Sequence, residues 1–206
     1  MAFQTIGKGT QKNGNPGRPN PKLTYVVLIR TCDLKTKPVK DEDGVSCSTD
    51  IDLKPGCLAA CIYATPSTIK VGDKSTGDAD KKGFITTLEF EFPGTSVEYS
   101  QFMNDNVNEN LMAVVIYPDL GFHKMLGGPG NPMQLSHEQK DDEKEDSNIV
   151  KLETLFAGDK YLLFTGKLPV VDNEALIPGI DEYVIPFITT ELSELLTTEA
   201  GEIILY

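Results

Sequence analysis

Residues 83–118 read GFITTLEFEFPGTSVEYSQFMNDNVNENLMAVVIYP. Phe84, Thr86, Leu88, Phe90 and Phe92 share one parity, and Ile85, Thr87, Glu89 and Glu91 the other. Successive strand side chains point to opposite faces, so this alternation predicts a strand with a packed aromatic face and a wet carboxylate face. Pro93 and Gly94 stop the run. Thr95 followed three residues later by Glu98 forms a capping-box pattern at a helix start. Tyr99, Met103, Val107 and Leu111 then recur at four-residue spacing with Phe102 beside them, while Asn104, Asp105, Asn108, Glu109 and Asn110 fill the other side. That spacing predicts one amphipathic helix over about residues 96–111, lying on a sheet. The apolar run MAVVIY (112–117) predicts the strand it leads into, closed by Pro118.

Working outward, LTYVVLI (23–29) is β-branched and apolar at both parities, which predicts a strand covered on both faces. Residues 34–82 read as a long loop insertion. Its first part is dense in turn residues, LAACIY (58–63) fits either a short strand or a turn of helix, and VGDKSTGDADKKG (71–83) reads as a polar connector. On the other side, DLGFHKMLGGPGNPMQLS (119–136) predicts a hairpin or edge strand with a Gly/Pro corner, and HEQKDDEKEDS (137–147) a charged loop. The runs IVKLETLF (149–156) and YLLF (161–164) predict a hairpin turning at Gly158-Asp159. A short strand at 183–185, a short helix at 191–196 and a last strand at 202–206 complete the reading.

There is no internal repeat and no regular βαβ alternation. The expected fold class is therefore mainly β: an antiparallel β-sandwich or barrel with one packed amphipathic helix, an extended arm and long loops. Residues 23–206 are expected to form a single β-rich domain. Residues 1–22 are rich in Gly, Asn, Pro and Lys and poor in apolar groups, a composition that does not offset its own ordering entropy, and they read as a flexible N-terminal arm.

At 206 residues and 39% hydrophobic, the chain is long enough to bury a core, and it has no apolar run of bilayer-spanning length. The first residues lack the apolar centre of a secretory signal, so a cytosolic site of synthesis and no membrane partner are expected. The net charge of -12 repels phosphate backbones, which disfavours tight nucleic-acid binding, and serves plain solubility equally well. Four cysteines, Cys32, Cys47, Cys57 and Cys61, are too sparse for a disulfide scaffold and too irregularly spaced for paired zinc knuckles. Reduced, inert thiols are the expectation. A nucleophilic cysteine needs a base, and the two histidines, His123 and His137, read as surface or turn residues. Gly7-Lys8-Gly9-Thr10 lacks the upstream glycine of a P-loop, Gly127-Gly128-Pro129-Gly130 reads as a turn, and Asp41-Glu42-Asp43-Gly44 lacks the rest of a calcium loop. No enzyme, no cofactor and no metal site is expected.

One resemblance adds to this reading. The order LEFEFPG, a helix carrying FMNDNVNENL, the strand MAVVIYPD, then KMLGGPGNPMQLS and KLETLFAGDKYLLFTG resembles the layout of phage tail-tube-like virion proteins over roughly residues 83–166. Such proteins are similar to the tube proteins of contractile tails and type VI secretion systems. The resemblance implies a structural subunit that closes edge to edge into stacked hexameric rings, located in the virion after assembly in the host cytoplasm. The implied partners are further copies of the chain, other virion proteins, and DNA as passing cargo that is not tightly bound. It further implies that Glu89 and Glu91 are candidates to face a lumen, and that the arm, with Phe3, Ile6 and Arg18, is a candidate inter-subunit strap. The alternatives are another virion component (capsid decoration, connector or tail terminator), a monomeric acidic module that binds a basic partner, and a divergent thiol enzyme built on Cys57 or Cys61.

Overall fold

The alternating run at residues 83–92 folds as the strand it predicts. A computed structural model describes residues 22–118, 120–141 and 146–168. In it this run is β5 (Gly83–Pro93), with Thr86, Leu88 and Phe90 buried, Phe92 half-buried and Glu89 and Glu91 on the wetter face, whereas Phe84, expected on the packed face, is exposed at the strand's start. The other strands are β1 (Tyr25–Arg30), β2 (Ser46–Cys47), β3 (Ala60–Tyr63), β4 (Lys70–Thr76), β6 (Leu111–Val115), β7 (His123–Leu126), β8 (Met133–Asp141), β9 (Asp146–Thr154) and β10 (Leu162–Phe164). One helix, α1 (Val97–Asn106), joins β5 to β6.

The ten strands form one sheet in the order β2-β10-β7-β6-β8-β9-β5-β4, with β1 against β6 and β3 against β1 as a branch. Strand β6 is the branch point. Strand β1 covers one edge of it from Val26↔Val115 to Arg30↔Leu111, while β7 and β8 divide the other. All these pairs are antiparallel except β10 with β2, which is parallel. The mainly-β class with a single packed helix holds, and the sheet is mixed and open, without closure into a barrel among the described residues.

Two apolar clusters explain why β1 and β6 are apolar at both parities. Val26, Leu28, Leu111, Ala113 and Val115 enter a core shared with β5, β8, β9 and the helix residues Tyr99 and Met103. Their neighbours Val27, Ile29, Met112 and Val114 enter a second cluster with Cys47, Ile51 and Phe164. The second cluster is covered by the segment after β1, through Leu34, Cys47, Ile51 and Ala59. Each such burial stabilises by roughly 1.5–3 kcal/mol per large apolar side chain. The long insertion is thus part of the core's cover.

Several sequence expectations are corrected. The helix ends at Asn106, so Val107 is an exposed C-cap residue and Leu111 opens β6. Asn106 turns inward, donating to the Phe102 carbonyl (2.7 Å), and the Asn110 carbonyl accepts from the Thr31 amide (2.8 Å), drawing the chain into its pairing with β1. Ser96, not Thr95, is the N-cap: its hydroxyl accepts from the Tyr99 amide at 3.1 Å. The insertion at residues 34–82 contains β2, β3 and β4. The polar connector is mainly β4, at the edge of the sheet among the described residues, and it shows no apolar alternation because none of its residues is buried. The charged loop is the end of a long hairpin, with pairing that reaches Asp141↔Asp146. The expected hairpin of residues 149–164 does not form. Strand β9 pairs with β8 and β5 while β10 pairs with β7 and β2, because the linking segment bridges to Phe84 at Gly158 and is held by the Asn131 side chain on both Phe156 backbone groups. The arm with Phe3, Ile6 and Arg18, and the elements expected at 183–185, 191–196 and 202–206, lie outside the described residues.

Candidate functional site

Strands β8, β9, β5 and β4 run side by side, and their outward parity builds a charged face from residues far apart in sequence. Lys70, Glu89 and Lys151 stand directly opposite one another across β4, β5 and β9. The Lys70 Nζ donates to Glu89 Oε1 at 2.8 Å, and Lys151 Nζ lies 3.9 Å from both Glu89 Oε2 and Glu138 Oε2. The hydrogen bond from Lys70 holds the Glu89 carboxyl below its usual range, and the same bond raises Lys70. Glu91 shares the face one pleat along, where its amide donates to the Thr68 hydroxyl at 3.1 Å. The candidate lumen residues therefore lie together, on a surface of mixed sign, with Glu89 flanked by two lysines. Sequence reasoning missed Lys70 and Lys151. The signal was the shared parity of Lys70, just before the connector, and Lys74 within it, legible only once residues 70–76 are read as a strand.

The sheet leaves strand edges open. Strand β4 pairs only with β5, and β3 only with β1, among the described residues. A row of backbone donors and acceptors from Lys70 to Thr76 is therefore available for pairing.

A second polar feature ties the helix to the sheet. Asn106, almost fully buried, accepts from Arg30 Nε at 2.9 Å through Oδ1. The guanidinium lines a cleft of about 460 Å³ with Asp33, Cys57, Phe102 and Asp105. Neither Arg30 nor Asn106 carries a sequence signal for this, since they are separated by 76 positions.

The thiols do not converge with other groups into a ligand set: among the described residues no three His, Cys, Asp or Glu side chains are placed to hold a metal. Cys47 is buried in β2, within the second cluster. Burial pushes the Cys61 thiol up to about 11, and burial followed by the nearby Asp33 carboxylate raises both Cys32 and Cys57. These shifts favour the thiol over the thiolate, opposite to what a nucleophilic cysteine needs. His123 lies in β7, its Nδ1 accepting from the Tyr117 amide at 3.3 Å, and burial lowers its pKa. His137 stands within β8, its Nε2 3.1 Å from Asn148 Oδ1.

No family model, curated protein or solved structure matches this chain. Its functional reading rests on its own residues and geometry. Among the described residues no helix is long and apolar enough to cross a membrane.

Proposed function

We propose that this chain is a structural virion subunit of the tail-tube type, self-associating edge to edge into rings that stack around a DNA conduit. The observation that carries the reading is the edge of β4, unpaired among the described residues, at the end of the four-strand wing β8-β9-β5-β4. A strand from a neighbouring copy pairing there extends the sheet across the subunit boundary, and repetition by rotation closes a ring. Lys70 and Lys74 on that edge strand discourage indiscriminate pairing and favour a partner strand that brings carboxylates.

In this reading the Glu89 and Glu91 face lines the conduit. Its carboxylates repel phosphate while Lys70 and Lys151 moderate the field, so DNA passes without being held. The arm, with Phe3, Ile6 and Arg18, straps one ring to the next, and other virion proteins cap the stack. The subunit assembles in the host cytoplasm and resides in the virion.

Negative-stain electron microscopy and mass photometry of the full-length chain test this. Rings of six copies with a central channel are expected, stacking into tubes as concentration rises. A chain that stays monomeric over the accessible concentration range overturns the reading.

A further inference from the structure

Among the described residues, five of the nine exposed large apolar side chains belong to segments that meet around residues 155–162. Val39, Val45, Phe84, Leu155 and Phe156 are all exposed, Phe156 at 64% and Val45 at 56%. They come from three separate segments that converge here. The Phe84 amide donates to the Gly158 carbonyl (2.8 Å), the Leu163 amide to the Val45 carbonyl (2.9 Å), and Lys40 forms an ion pair with Asp159. Two clefts, of about 410 and 540 Å³, flank residues 158–162 at this end. Scattered exposed apolar side chains need no explanation, but a contiguous group beside two clefts marks a contact surface.

Its charge is unlike that of the whole molecule. The charged side chains lining the two clefts are Lys40, Lys82, Lys160 and Asp159, a positive balance in a chain of net charge -12, with Lys40 paired to Asp159 and Lys160 to Asp73 at 3.3 Å. Such a surface fits a segment that is both apolar and acidic. Residues 169–206 have that composition: they contain no Lys or Arg, eight Asp and Glu, and the apolar runs YVIPFI (183–188) and IILY (203–206). Residues 1–21 carry Lys8, Lys12 and Arg18 and no acid, so the arm is the wrong sign for this site.

The described chain also ends close to the patch. Leu163 pairs with Ser46 and Phe164 with Cys47, the Thr165 amide donates to the Cys47 carbonyl (3.0 Å), and the Lys167 carbonyl accepts from Ile51 (3.1 Å). The last described residues thus run parallel to 46–51, a ladder that begins one residue after Val45. Spanning back along it takes roughly 17 Å at about 3.3 Å per extended residue. Residues 169–206 number 38, and a random coil of that length has a root-mean-square reach of about 35 Å. Tethering at Leu168 therefore gives residues 169–206 of the same molecule a high effective concentration at the patch.

We infer that the lysine-rimmed apolar end around Val45, Phe84 and Phe156 is the docking site of the chain's own segment 169–206. The apolar runs cover the exposed aromatic and aliphatic groups, and the acids meet Lys40, Lys82 and Lys160. This goes beyond the tube reading and does not depend on it.

Hydrogen exchange read by mass spectrometry on the full-length protein tests it, comparing the natural chain with Phe156→Asp and, separately, Val45→Asp. Both positions are exposed, so unchanged exchange in β6 reports an intact fold. The expected result is slowed exchange in at least one apolar run of 169–206 at every protein concentration, relieved about tenfold by either substitution, the factor expected for losing one good contact. Three results overturn the inference: no protection in 169–206 of the natural chain, protection that neither substitution changes, or protection that appears only as concentration rises, which assigns the patch to a second copy.

Discussion

Tyr99 shows what one side chain reveals at the residue scale. Its ring is buried, stacked on Phe92 at 4.3 Å and 9°, with the His137 ring edge-on at 5.6 Å. Its hydroxyl is buried with no hydrogen-bond partner among the described residues, and burial pushes the phenol from 10.0 up to about 12. A buried polar group without a partner costs its desolvation, so Tyr99→Phe is expected to leave stability unchanged or raise it by about 1 kcal/mol at pH 8, measured by urea unfolding. The native state holds the phenolic proton to higher pH than the unfolded state, so the wild type loses stability as pH rises from 10 toward about 12. The phenylalanine variant lacks that loss, and the gap between the two proteins should widen from pH 10 toward about 12. A variant clearly less stable at pH 8 would assign the hydroxyl a partner. The inward position of Tyr99 was legible from helical spacing. The inward position of Asn106 was not, because a buried asparagine is tolerated only where a partner such as Arg30 meets it, and that meeting is tertiary.

At the scale of the element, the start of α1 separates pattern from geometry. Thr95 and Ser96 are adjacent, and either hydroxyl satisfies a cap motif on paper. Gly94, at φ +68, turns the chain out of β5 so that Ser96 takes the extended cap conformation (φ -126, ψ 163). Thr95 is left to accept instead from Gln139 Nε2 at 3.1 Å, on the surface. Ser96→Ala should cost about 1 kcal/mol, and Thr95→Ala distinctly less, by thermal or urea unfolding of the two variants side by side. Equal losses would return the cap to the capping-box reading. Strand β4 teaches the complementary point. Alternation is a signal of one buried and one wet face, and an edge strand with Lys70, Asp73, Lys74 and Ser75 has too little burial to display it. Only the seven-residue register against β5 makes the strand.

For the whole molecule, the two-sided burial of β1 and β6 sets where stability resides. Every residue of β6 is buried, whereas β4 is exposed along most of its length. Native-state hydrogen exchange should therefore find the amides of β6 opening only with global unfolding and those of the outer edge of β4 at least about a hundredfold faster, for the protein kept dilute enough to be monomeric. Comparable rates in the two strands would mean that the edge is covered. Local periodicity imposed by burial made the class, the buried parity of β5 around Leu88 and Phe90, the helix α1 and the apolar character of β1 and β6 legible in the sequence. Long-range packing set the rest. The opposition of Lys70, Glu89 and Lys151, the crossing of residues 155–161 away from a hairpin, and the convergence of Val45, Phe84 and Phe156 at one end all depend on strand order and register. Those are set by which distant segments bury one another, and no window of neighbouring residues contains that information.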